Sequence, residues 1–161
     1  MYRAGKIKAD TKEEFYNQLN TLLMALVADE KSATANLANA AALLFDQLDE
    51  VNWAGFYLLE NSQLVLGPFQ GKPACTRIPL GSGVCGTAAS ENKMLNVPDV
   101  HAFPGHIACD SASRSELVIP VVSKDGLLGV LDIDSPVVNR FDDADAKGLQ
   151  QFVHLLERKI S

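Results

Sequence analysis

Leu131-Asp132-Ile133-Asp134 is the short segment with the most chemistry in it. Alternation along a strand puts Asp132 and Asp134 on one face and Leu131 with Ile133 on the other. A second apolar run, Leu117 to Val122, begins just after Glu116, and Lys124-Asp125-Gly126 between the two runs reads as a hairpin turn. Pairing through that turn brings Glu116 to the Asp132–Asp134 end, so three carboxylates converge. Like charges on neighbouring strand positions repel, which makes an idle solvated face the poorer reading. Such a cluster calls for a cation or a shared proton. Hard-cation sites want more oxygen ligands than this segment supplies. A ligand ammonium group fits better, and a carboxyl raised in pKa by its neighbours could donate a proton.

Cys75, Cys85 and Cys109 are the second group. An odd count in a reducing compartment argues against a structural disulfide framework. The plain alternative is three inert thiols packed as small hydrophobes. Cys109 lies in a polar loop close in sequence to Glu116, a better setting for a nucleophile than a strand core. Cys85 stands between Gly83 and Gly86, where absent side chains leave room for close approach, and Cys75 follows Pro73-Ala74. Three separately placed thiols allow a nucleophile, a resolving thiol and a relay.

Competing chemistries are weaker. His101 and His106 could join a zinc site, but no Cys-x-x-Cys pair exists and the cysteines are widely spaced, so no metal is expected. The two histidines are expected to hydrogen-bond within their loop, and His154 to lie on the surface. Asp110 adjoins Cys109, yet adjacency in sequence does not orient a hydrolase triad. Gly81-Ser82-Gly83-x-x-Gly86 resembles a dinucleotide fingerprint but lacks the preceding buried parallel strand and a ribose-binding acid.

The elements that must position these groups read as follows. Phe15, Leu19, Leu22, Leu23 and Leu26 recur at helical spacing and predict a helix from Lys12 to Ala28. Ser32 caps a second helix that ends at Phe45 or Leu48. Val51–Leu59 and Leu64–Phe69 form a hairpin around Glu60-Asn61-Ser62, with a short strand from Cys75 to Ile78. A tight glycine-rich turn enters a short helix ending near Asn92, and Met94–Val97 is another strand. Asp99 to Ser115 has no periodicity and is too long for an ordinary connection. After it come strands Glu116–Val122 and Leu127–Asp134, and then a last helix capped by Asp142 and ending near Lys159. This order predicts an α+β fold with a mainly antiparallel sheet.

The chain has 161 residues, 47% of them hydrophobic, enough to bury the core of one domain spanning 1–161. A net charge of −6 argues against nucleic-acid binding and against an anionic membrane surface. No apolar run approaches the length of a membrane span, and no apolar segment follows Met1 as a signal peptide would require. The expected location is the cytoplasm.

Asn52-Trp53-Ala54-Gly55-Phe56-Tyr57, Leu66-Gly67-Pro68-Phe69-Gln70-Gly71, Gly83-Val84-Cys85-Gly86-Thr87-Ala88, Gly105-His106-Ile107-Ala108-Cys109-Asp110 and Gly129-Val130-Leu131-Asp132-Ile133-Asp134-Ser135 together resemble the free methionine-(R)-sulfoxide reductases, which are stand-alone GAF domains. The resemblance covers essentially the whole chain. It implies a GAF fold, with terminal helices on one sheet face and a ligand cavity on the other. It implies Cys109 as the catalytic thiol, Cys75 as the usual resolving thiol, and Cys85 as a participant in the disulfide relay. It further implies Trp53 and Tyr57 at the substrate's methyl end, and Glu116, Asp132 and Asp134 at its polar groups. The implied partners are free methionine-(R)-sulfoxide and thioredoxin as reductant. No cofactor is implied, and the assembly state, monomer or homodimer, is left open. The rival from another class is a GAF sensor that binds a small ligand without chemistry, which the acidic face disfavours for a phosphorylated one.

Overall fold

The computed structural model describes residues 2–106 and 109–161, so Ile107 and Ala108 of the Cys109 loop lie outside the described residues. Helices α1 (Lys12–Val27) and α2 (Ala33–Gln47) come first, with Thr11 and Ser32 accepting from the Glu14 and Ala35 amides at their N-termini. Strands β1 (Trp53–Glu60), β2 (Gln63–Gly71) and β3 (Arg77–Pro79) follow, then helix α3 (Gly83–Glu91), β4 (Leu95–Val97), β5 (Ser115–Ser123), β6 (Gly126–Ser135) and α4 (Asp143–Ile160). The strands form one six-stranded sheet in the order β3-β2-β1-β6-β5-β4, with every pairing antiparallel. The expected α+β architecture holds.

Alternation divides the sheet into two cores. Ala54, Phe56, Leu117, Ile119, Val121, Leu131 and Ile133 face α1, α2 and α4. Trp53, Tyr57, Val118 and Val130 face the other way, against α3 and the loops. At Gly129 the strands approach so closely that an added Cβ would fall 2.1 Å from the Tyr57 carbonyl oxygen. This glycine lets β6 lie against β1, which brings the acids of one strand beside the aromatic rings of the other.

Two expectations shift in detail. The buried face of α1 is centred on Tyr16, Leu19, Leu23 and Val27, while Phe15, Leu22 and Leu26 are half-buried. Tyr16 can go inside because its hydroxyl donates to Asp145 Oδ1 at 2.6 Å. The strand expected from Cys75 starts two residues later at Arg77, although the Thr76 carbonyl still accepts from the Leu66 amide of β2.

Asp145 is the buried polar anchor of the helical side. It is 1% exposed and takes hydrogen bonds from Tyr16, Lys12, Arg140 and the Asp142 amide. With Asp142 it completes a capping box at the start of α4, and Lys12 and the Asp145 backbone N–H hold the Asp142 carboxyl down at about 2. Asp145→Ala leaves the buried Tyr16 hydroxyl without its acceptor and removes one of two from the Arg140 guanidinium, whose Nε still donates to the Asp49 carbonyl. A loss of about 3 kcal/mol is expected, measurable as a lower urea midpoint at unchanged slope.

Candidate active site

The hairpin turn closes as its residues require, with Lys124 and Asp125 at the tip and Gly126 at φ +123°. In the resulting register Glu116 stands directly opposite Asp134, and Val118 opposite Asp132. The three acids therefore share the face away from α1, α2 and α4, as the alternation predicts. They are 6%, 5% and 8% exposed for Glu116, Asp132 and Asp134. Burial pushes each carboxyl well above the usual carboxylate range, and the neighbouring acid pushes it further. No Lys or Arg lines the cavity they share, and Asp132 Oδ1 is buried without a hydrogen-bond partner among the described residues.

The cavity is roofed by α3 and by the Cys75 and Cys109 segments. Gly86 allows α3 to sit tight on β3, since a Cβ there would meet the Pro79 carbonyl oxygen at 2.4 Å. This places Cys85, the residue before, with its Sγ donating to Glu116 Oε2 at 3.8 Å. The Cys85 thiol is raised well above its ordinary pKa by burial and then by the three acids. Cys75 and Cys109, 34 residues apart, are joined in a disulfide with their Cα atoms 5.5 Å apart. Cys109 lines the same cavity as Trp53, Tyr57 and the three acids. The sequence's candidate site residues are thus gathered in one place.

The aromatic end is built from a stack. Trp53 lies between Phe69, at 5.1 Å, and Tyr57, at 5.8 Å between ring centroids. Its indole N–H donates to the Lys72 carbonyl, and the Tyr57 hydroxyl donates to the Cys75 carbonyl at 2.9 Å. Tyr57 therefore ties the cavity wall to the disulfide. Burial raises its pKa, so it stays a donor.

Asn52 was not legible as a site residue. Its Nδ2 donates to Asp110 Oδ2 at 3.0 Å and to Ser113 Oγ at 3.2 Å, while its backbone N–H bonds the Asp134 carbonyl. It pins the Cys109 loop to the start of β1. The only hint in the sequence was its place beside Trp53. His101 and His106 meet edge-to-face at 6.4 Å between ring centroids, and their backbone N–H groups donate within the loop, to Asp99 Oδ1 and to the Phe103 carbonyl. His106 lines the cavity with its pKa lowered by burial and then by His101. His154 is exposed, as expected.

An acid whose folded pKa lies above its unfolded one binds more protons when folded. The stability linked to it is present at low pH and is lost as pH rises above the ordinary carboxylate range toward the folded value. Asp132→Asn should therefore raise stability at neutral pH and flatten the decline toward alkaline pH. Urea unfolding of the oxidised proteins across mildly acidic to mildly alkaline pH checks this. A destabilised variant with an unchanged pH slope would count against the protonated cluster.

An antiparallel sheet with α1, α2 and α4 on one face and, on the other, a cavity lined by three acids and by Cys109 of the disulfide defines a GAF-type domain. The GAF domain family matches residues 22–160. A protein of Escherichia coli (strain K12) named "Free methionine-R-sulfoxide reductase" is 57% identical over 150 residues, 93% of this chain and 91% of its own length. One of the same name from Saccharomyces cerevisiae is 43% identical over 155 residues, 91% of this chain and 86% of its own. The solved structure of free methionine-R-sulfoxide reductase from Neisseria meningitidis, in complex with its substrate, superposes with a TM-score of 0.93 at 43% identity, covering 99% of this chain and 96% of that one. The chain belongs to the free methionine-(R)-sulfoxide reductase family of GAF domains.

Proposed function

We propose that this chain reduces free L-methionine-(R)-S-oxide to L-methionine, with Cys109 as nucleophile and Cys75 as resolving thiol. The observation that carries the reading is the Cys75–Cys109 bond set over a buried cavity of three carboxylates. Trp53 and Tyr57 supply a flat apolar wall for the methyl end, and the acids supply the counter-charge for the α-ammonium group. The Cys109 thiolate attacks the sulfoxide sulfur. A protonated carboxyl of the cluster donates to the sulfoxide oxygen, which would otherwise leave poorly. Methionine departs, reduced by two electrons, and the oxygen remains on Cys109 as a sulfenic acid. The Cys75 thiol then displaces it as water and forms the disulfide. A dithiol protein, thioredoxin, returns two electrons and two protons by exchange. The high thiol pKa of Cys85 suits a reserve in this relay better than a first nucleophile.

The need for thioredoxin favours the cytoplasm as the place of reaction, with residues 1–161 acting as one unit, as monomer or homodimer. Among the described residues no helix is long and apolar enough to cross a membrane. Methionine formation from the free (R)-sulfoxide with a thiol reductant is the direct test. Absence of turnover in reduced protein that still binds the sulfoxide would leave a sensor instead.

Cys75→Ser is expected to keep the first methionine-forming step and to lose thioredoxin-coupled turnover by about tenfold or more, since the sulfenic acid then waits for Cys85 or for external thiol. Single-turnover product and dimedone labelling of Cys109 read the two halves separately. Normal steady-state rates with both Cys75 and Cys85 replaced would sink the relay.

A further inference from the structure

Cys85 is the free cysteine of this structure, buried at 5% exposure on the cavity wall. Its Sγ, one oxygen of Glu116 and one of Asp132 all lie within 4.8 Å of one another, the sulfur 3.8 Å from Glu116 Oε2. A tetrahedral centre with sulfur at about 2.3 Å and carboxylate oxygen at about 2.0–2.2 Å from the ion sets sulfur and oxygen about 3.6 Å apart. The side chains are therefore close to a coordination sphere before any ion arrives. Asp132 Oδ1, in a residue 5% exposed, has no hydrogen-bond partner among the described residues. Among the described residues no Lys or Arg lines the cavity. Both facts point to a positively charged occupant.

The substrate's ammonium group meets that need only when the substrate fits. With Cys75 joined to Cys109 the cavity is about 40 Å³. On the measure by which one water needs about 10–15 Å³, this space admits an ion with a water or two, and no amino acid. Sulfur among the three donors selects against Mg²⁺ and Ca²⁺, which take six or more oxygens.

We propose that the disulfide form of this protein binds a thiophilic divalent cation of the Zn²⁺ class through Cys85 Sγ, Glu116 and Asp132. On binding, the Cys85 thiol releases its proton to solvent and the thiolate forms the sulfur–metal bond. The carboxylates give up the protons they hold in the same exchange, and water fills the fourth position. The cation takes no part in the reduction. It occupies the ground used by the ammonium group and ties up the reserve thiol, so metal-loaded oxidised protein stays out of the cycle until the ion is removed.

Binding to oxidised protein involves neither substrate nor reductant, so its test is separate from that of the proposed reaction. The disulfide form has a single free thiol, and a Cd²⁺ titration followed by thiolate-to-cadmium ultraviolet absorption reports Cys85 alone. The expected result is a saturable band at one ion per chain, displaced by Zn²⁺ and untouched by Mg²⁺. Cys85→Ser should abolish it. Glu116→Gln and Asp132→Asn should each weaken binding by about tenfold or more, given that even outer-shell losses cost ~10–100-fold. Mass spectrometry verifies the disulfide in each variant, and circular dichroism its fold. Should Cys85→Ser fail to fold, the two carboxylate variants decide. No band in the unaltered protein, or an affinity unchanged in both carboxylate variants, overturns the proposal.

Discussion

Cys109→Ser is expected to lower kcat/KM for free methionine-(R)-sulfoxide by about three orders of magnitude or more, with methionine undetectable in a single turnover. A serine hydroxyl keeps the size and polarity of the thiol but is not ionised near neutral pH, so the cavity retains its shape and loses its nucleophile. The other two thiols cannot stand in for it. Cys85 is held protonated by burial and by the acids around it. Cys75 presents its backbone carbonyl to the Tyr57 hydroxyl and, unlike Cys109, is not among the described residues that line the cavity. The stability control must use reduced protein on both sides, because a bond closing a separation of 34 residues is worth up to about 4 kcal/mol by loop entropy alone. Reduced wild type and reduced variant should unfold together. A variant that still forms one equivalent of methionine per chain would move the nucleophile elsewhere.

The parts of this site that could be read from the chain are those governed by short-range periodicity. Asp132 and Asp134 share a face because strand side chains alternate. Glu116 joins them because a tight turn sets the pairing, and the observed partner of Glu116 is Asp134 itself. The bulge between Val121 and Val122 did not upset that register near the acids, since it sits toward the turn. What periodicity could not give is contact across long separations. Nothing in their spacing joins Cys75 to Cys109; the resemblance to a family implied the pair, and the structure contains the bond. The Asn52–Asp110 clamp crosses 58 positions and links an irregular loop to a strand end, so no local rule announces it. The buried face of α1 turned away from expectation for a related reason. A tyrosine can occupy the centre of a core face only when a distant acid, here Asp145, accepts its hydroxyl.

Free amino acid should be preferred over the same residue with its nitrogen acylated, by roughly ten- to hundredfold in kcat/KM from the charged contact alone. The estimate takes about 1.5–3 kcal/mol for a lost charge-assisted hydrogen bond. The structural reason is the imbalance of the cavity. Glu116, Asp132 and Asp134 are all buried and all pushed toward the protonated form, and among the described residues no Lys or Arg lines their cavity. An ammonium group entering there lets one carboxyl ionise while another keeps the proton that the sulfoxide oxygen needs. An acylated nitrogen carries no charge and two fewer protons, so that division of labour fails and burial of the acid goes uncompensated. The penalty should fall on KM and on kcat together, because both anchoring and proton delivery draw on the same cluster. Steric exclusion adds to it for a residue inside a polypeptide, whose flanking chain would have to pass the Cys75 and Cys109 segments. Kinetics on free methionine-(R)-sulfoxide and on its N-acetyl derivative, which is small enough to minimise the steric share, separate the two effects. Glu116→Gln and Asp132→Asn should narrow the gap, because an amide wall discriminates less between ammonium and amide. Equal efficiencies for the two substrates would mean that the acids do not read the ammonium group, and would leave proton delivery as their whole task.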